Sequence, residues 1–239
     1  MPTFAAVYFD CDSTLSAIEG VDELLDFAPA ALREDIARLT TQAMEGTLPL
    51  SQVYETRLRL LAPRREQLDH VGELYVARIV PDARALIDAL RFLGKQVGIV
   101  SGGILGPVQR VAEHLGIPPA NVHAVQLHFD AAGNYVDYDR KSPLSKNGGK
   151  VEVLRALPAS HHPLAFVGDG ATDLETQGTA QLFIGYGGVA TRAIVRDRAQ
   201  AFVGTSSIAP VLRHVATAEE LARLARDAKF APLLSAAKA

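Results

Sequence analysis

Short apolar runs rich in Val, Ile and Phe alternate along this chain with longer amphipathic stretches, and that rhythm admits few architectures. It is the alternation expected of a parallel sheet covered by helices. The runs predict strands over Ala5 to Phe9, Gln96 to Val100, Leu164 to Val167, Leu182 to Ile184 and Ala201 to Val203. Helical patterns fall between them, at Pro81 to Phe92, Leu105 to Leu115, Lys150 to Ala156, Asp173 to Gly178, Ala190 to Asp197 and Ile208 to Val215. Pro81 stands at a helix start, where proline is tolerated. Residues 16–79 break the rhythm with several amphipathic helical segments and no strand, and read as a helical insertion between the first and second strands. Val122 to Tyr138 reads as a β-hairpin, with the alternating VHAVQLHF and YVDY flanking a turn at AAGN. The tail after Phe230 is expected to fray.

With 239 residues, 48% of them hydrophobic and 21% charged, the chain has the balance of a globular domain with a substantial core. A net charge of only -3 offers no footprint for nucleic acid and no polybasic face for a membrane, so a small-molecule partner fits better. No apolar stretch reaches the ~18 residues of a membrane span, and the first residues carry no basic leader. The single cysteine, Cys11, points to a reducing compartment, so a cytoplasmic protein is expected.

In open α/β sheets ligands collect at the carboxyl ends of the strands, which makes polar residues just after a strand the first suspects. The first strand ends in Asp10-Cys11-Asp12-Ser13-Thr14. Two carboxylates so close after a buried strand repel each other unless a cation or proton compensates, whereas an Asp capping a turn explains only one of them. Strand alternation turns Cys11 away from them. The second strand ends in Ser101-Gly102-Gly103, where a hydroxyl and free N–H groups before a helix suit a phosphate, although Ser-Gly-Gly is also a common turn. The third ends in Gly168-Asp169-Gly170-Ala171-Thr172-Asp173, again with two carboxylates. Together with Asp10 and Asp12 these supply the hard oxygen ligands that Mg²⁺ takes. Lys150 opens a predicted helix, where a positive charge opposes the helix dipole and an anionic partner would explain it. Taken together, the set is what a magnesium-assisted phosphoryl transfer site requires.

These segments, in this order, resemble the motifs of the haloacid dehalogenase-like phosphatases, and the closer likeness is to the branch that acts on phosphoserine, over nearly the whole chain to about Leu212. The resemblance implies an α/β fold, a Rossmann-like parallel-sheet core (1–15 and 80–239) with a helical cap (16–79) inserted after the first strand. It implies that Asp10 is the nucleophile, and that Asp12 is the acid for the leaving oxygen and then the base for water. It further implies that Asp10, the backbone carbonyl of Asp12 and Asp169 hold Mg²⁺ while Asp173 orients the metal shell. Ser101, Gly102, Gly103 and Lys150 would hold the phosphate. Substrate binding would fall to Glu19, Met44, Arg57 and Thr172, with Glu19 taking an ammonium, Arg57 a carboxylate, and Arg192 supporting the site. Two departures bear on substrate choice: Glu45 stands where relatives often carry Gly or a basic residue, and Leu50 where an aromatic residue is common. The rival readings are a relative acting on phosphothreonine or on a sugar or alcohol phosphate, and a non-enzymatic receiver domain; a receiver needs neither a long helical insertion nor a proton donor such as Asp12.

Overall fold

The computed structural model describes residues 3–44 and 50–238. From the amino end, β1 (Ala6–Phe9) leads into α1 (Gly20–Glu23), α2 (Ala30–Met44), α3 (Leu50–Leu61) and α4 (Arg65–Ala77), and α5 (Ala83–Phe92) returns the chain to the sheet at β2 (Gln96–Ile104). There follow α6 (Leu105–Leu115), β3 (Val122–Val125), the short strands β4 (Leu127–Phe129) and β5 (Tyr135–Tyr138), α7 (Gly149–Ala156) and β6 (Leu164–Gly168). The chain closes with α8 (Ala171–Leu174), β7 (Leu182–Tyr186), α9 (Ala193–Arg198), β8 (Ala201–Val203), α10 (Val211–Val215), α11 (Ala218–Leu224) and α12 (Ala231–Ala236). Among the described residues no helix is long and apolar enough to cross a membrane.

The six-stranded sheet runs in the order β3-β2-β1-β6-β7-β8, parallel throughout, which makes the fold α/β and Rossmann-like. Helices cover both faces of such a sheet, and every residue of β1 and of β6 is accordingly buried. The strand order reverses between β1 and β6, and in sheets of this kind the crevice at that reversal is where ligands bind. Asp10 and Asp169 each follow one of these two strands, so the topology alone sets them side by side.

Between β1 and β2 the described chain is helical, apart from an antiparallel bridge of Ser16 with Ile79 that closes the neck of the segment. The Ser16 hydroxyl donates to the Tyr75 carbonyl at 3.0 Å, and Val80 N–H donates to the Leu15 carbonyl at 3.0 Å. Within this segment α4 buries Leu68, Val71 and Tyr75 and packs against α6 of the sheet layer.

Three expectations need correction. The run Val122 to Phe129 is not one hairpin strand: Val122–Val125 is the parallel edge strand β3, and only Leu127–Phe129 pairs antiparallel with Tyr135–Tyr138. Alternation of apolar residues has the same period in both settings, so it cannot show that the chain changes sheets at Gln126. Strand β2 does not stop at Val100 but continues through Ser-Gly-Gly to Ile104, with its register shifted. The carboxyl end is not frayed, because Phe230 and Leu233 are buried and the Phe230 ring lies 5.1 Å from that of Phe92. Helix α11, which the periodicity did not reveal, carries a capping box of Thr217 and Glu220, and Glu220 also pairs at 2.7 Å with the buried ammonium of Lys95.

Gly98 on β2 lies beside Tyr8 on β1, and a Cβ there would overlap the Tyr8 ring and sit 2.6 Å from the Asn121 carbonyl oxygen. Gly98→Ala is therefore expected to cost about 1–3 kcal/mol through overpacking, read as a lower urea midpoint; an unchanged midpoint would mean the ring yields without strain.

Candidate active site

Asp10 leaves β1 with its N–H donating to the Val167 carbonyl of β6 at 2.9 Å, so the neighbouring strand sets its backbone. Its Oδ1 accepts from Cys11 N–H at 2.7 Å, and its Oδ2 lies 2.8 Å from Lys150 Nζ. The same ammonium reaches Asp173 Oδ1 at 2.5 Å, while Asp173 Oδ2 accepts from Gly170 N–H at 2.9 Å. Burial works against the Lys150 charge, but the carboxylates of Asp10 and Asp173 outweigh it and hold its pKa well above the usual lysine value. The lysine is thus buried with two anionic partners, which accounts for a positive charge at the start of α7.

Asp169 stands opposite, its Oδ2 accepting from Arg192 Nε at 2.9 Å and its Oδ1 from the Thr14 hydroxyl at 3.3 Å. Carboxylate oxygens of Asp10, Asp169 and Asp173 lie within 4.8 Å of one another, all buried, a group that can hold a metal ion. These are hard anionic oxygens, the donor type that Mg²⁺ prefers, and the cluster remains short of positive charge. Burial and then the charge of Asp10 push the Asp169 pKa up to about 6 despite Arg192, and burial likewise raises Asp173.

Asp12 is partly buried beside this cluster, with Oδ1 accepting from Gly20 N–H at 2.9 Å and from the Tyr75 hydroxyl of α4. Burial first and the Asp10 charge second lift its pKa to about 6, so it carries a proton more readily than a free aspartic acid. Ser13 next to it adopts φ 50°, a left-handed conformation rare for serine, and donates to Glu19 Oε1 at 2.7 Å. Glu19 also meets Arg192 Nη2 at 3.3 Å, and burial with the Asp12 charge raises its pKa to about 7.

The phosphate-binding expectations fall at the end of β2. Ser101 is fully buried and its Oγ accepts from Gly103 N–H at 3.0 Å. A Cβ on Gly103 would lie 2.7 Å from Asp12 Oδ2, so only glycine lets strand and acid approach this closely. Gly102 and Gly103 belong to the strand itself rather than to the turn before α6, because β2 extends to Ile104. Thr172 lies in α8 beside Asp173 and is partly exposed.

The structure therefore brings together Asp10, Asp12, Asp169, Asp173, Lys150, Glu19 and Arg192, with Ser101 and Gly103 adjoining. Arg57 on α3 is partly buried and pairs at 2.7 Å with Asp22 rather than with any of these. Met44 ends α2, and its side chain, like that of Leu50, lies outside the described residues, as does Glu45 altogether. Tyr75 was missed by sequence reasoning: 63 positions from Asp12 and within an ordinary amphipathic helix, it carries no local signal of its role.

A family model of haloacid dehalogenase-like hydrolases matches residues 4–176, which defines the class of this fold and site. Bovine phosphoserine phosphatase is 37% identical over 200 residues, covering 83% of this chain and 88% of that protein. The human phosphoserine phosphatase is 36% identical with the same coverage. A solved substrate-bound phosphoserine phosphatase complex shares the fold, with a TM-score of 0.73, 24% identity, and coverage of 90% of this chain and 100% of that one. Within the haloacid dehalogenase-like hydrolases, the chain belongs to the phosphoserine phosphatase family.

The raised carboxyl pKa at Asp169 carries a stability consequence. Because the folded-state value of about 6 exceeds the unfolded one, the folded protein takes up a proton first as pH falls, so the penalty is full above pH 6 and disappears below about 4. In the metal-free protein Asp169→Asn is therefore expected to stabilise by about 1–3 kcal/mol at pH 7.5, an advantage that fades towards pH 4. Urea unfolding across that range checks it, and a variant less stable than the parent at every pH would show that Arg192 already offsets the charge.

Proposed function

We propose that this chain hydrolyses O-phospho-L-serine to L-serine and inorganic phosphate with the help of Mg²⁺, through a phosphorylated Asp10. The observation that carries the proposal is the contact of Asp10 with Lys150, beside an Asp12 whose environment favours holding a proton. The relatives that cover most of this chain's length act, by their names, on phosphoserine.

In this mechanism a carboxylate oxygen of Asp10 attacks phosphorus while the bond to the seryl oxygen breaks. Asp12 gives its proton to that oxygen, which would otherwise leave as a poor alkoxide. Asp12, now ionised, takes a proton from water as the water oxygen attacks the phosphoryl group and frees Asp10. Lys150 neutralises phosphate oxygens and so lets one anion approach another. Asp10, Asp169 and the main-chain carbonyl of Asp12 would hold Mg²⁺, with Asp173 fixing Lys150 and the loop between. When bound, the ion supplies positive charge at the reacting oxygens. Ser101 and Gly102 would complete the phosphate cradle together with Gly103, whose N–H donates to Ser101 Oγ before a phosphate arrives, and Thr172 would line its rim.

Residues 16–79 act in this reading as a cap that carries Glu19, Met44 and Arg57 to the substrate. Glu19 takes the ammonium and Arg57 the carboxylate, while Arg192 links Glu19 to Asp169. The chain's only cysteine is buried beside the site with its pKa raised by burial and the adjacent acids, an inert thiol in keeping with a cytoplasmic enzyme.

Asp10→Asn should abolish phosphate release while far-UV circular dichroism and the unfolding midpoint show an intact fold, and chelation of divalent metal should silence the parent enzyme reversibly. Substantial turnover by Asp10→Asn would remove the nucleophile assignment. Asp12→Asn should slow the reaction about 10²–10⁴-fold, in single-turnover phosphorylation and in dephosphorylation alike. On a panel of phosphate monoesters, Arg57→Ala should lose far more activity on phosphoserine than on an aryl phosphate; equal losses would point to another small phosphomonoester.

A further inference from the structure

Among the described residues, the buried side-chain polar atoms without a hydrogen-bond partner are the Tyr54 hydroxyl, Arg57 Nε and His123 Nε2. Two of these sit on α3, three positions apart, and residues at that spacing share a helix face. Leaving a buried donor dry is unfavourable, and native proteins rarely do it twice on neighbouring side chains unless something else completes the bonds. We propose that Tyr54 is a further substrate-recognition residue, its hydroxyl donating together with Arg57 Nε to the carboxylate of the bound amino-acid phosphate.

Three observations support the assignment, which rests on the phosphoserine reading above. The ring of Tyr54 is held edge-on by Tyr138 of β5, with centroids 5.5 Å apart and planes at 63°, so the hydroxyl is aimed rather than free to rotate away. Burial, and after it the charge of Asp12, raise the pKa of that hydroxyl, so it stays protonated and is a donor. Arg57 is committed to Asp22 through Nη2 alone, which leaves Nε unspent. A cationic donor and a neutral one on the same helix face, each without a hydrogen-bond partner among the described residues, match a two-oxygen anion. The phosphate has its own partners at Lys150 and Ser101, so the carboxylate is the group left for α3.

Tyr54→Phe removes only the hydroxyl and keeps the ring against Tyr138. The experiment compares kcat/KM for phosphoserine and for phosphoethanolamine, which lacks the carboxylate, in the parent and the variant. The expected result is a fall of about tenfold in the phosphoserine-to-phosphoethanolamine ratio, carried by KM. In parallel, with Mg²⁺ present, the rise in melting temperature given by the phosphonate analogue of phosphoserine should shrink in the variant more than the rise given by the same analogue without its carboxylate. A ratio unchanged, or losses equal on both substrates, overturns the role of Tyr54 while leaving the phosphoserine reading in place. A parent enzyme that ignores phosphoserine overturns both.

Discussion

A single buried ammonium holds this site together. Lys150 lies against Asp10, which follows β1, and Asp173, which sits in α8, and a third buried carboxylate, Asp169, faces them from the end of β6. At an effective dielectric of about 20, two unit charges about 5 Å apart repel by about 3 kcal/mol, so such a group cannot be packed into a protein without cations of its own. Lys150 and Arg192 supply part of that charge, and burial first, with the repulsion that remains, raises the pKa values of Asp169 and Asp173. The site is thus built at the expense of stability, and the negative charge that favours a proton there is the same charge that would favour a metal ion. Asp12, lifted by burial and then by the Asp10 charge, holds a proton more readily than a free aspartic acid.

Much of this was legible in the chain. Apolar runs ending in Asp10-Cys-Asp12 and in Gly-Asp169-Gly mark strand ends directly, because a parallel strand buried on both faces has no other place for a carboxylate than its end. Lys150 was legible through its misfit with the helix dipole. The six-strand order was not: that β1 lies between β2 and β6 depends on crossovers that no local pattern encodes, and the switch of sheets at Gln126 hides within an alternation that both sheets share.

The contacts that the sequence concealed are those that reach from a helix to a distant loop. Tyr75 reaches Asp12, and Glu220 reaches Lys95, across spans where neither partner carries a mark of the other. Helix α11 did carry a readable capping box, Thr217 with Glu220, but its periodicity was too short to draw notice. The two unspent donors of α3 are a different case, since Tyr54 is an ordinary aromatic in any helical pattern until its surroundings show that nothing answers its hydroxyl.

The packing of α4 on α6 divides the helical segment mechanically. With its apolar face seated on a helix of the sheet layer, α4 is tied to the sheet, whereas α3 meets the core through Tyr54 on Tyr138 and Glu55 with Arg140, so a swing that admits a ligand would part those contacts and leave α4 in place. The joint would fall between α3 and α4, where Ala62 takes a left-handed turn at φ 39°. In such a motion the Tyr75 hydroxyl stays on Asp12 while Tyr54 and Arg57 move away from it, so the two ends of the helical segment would answer a ligand separately.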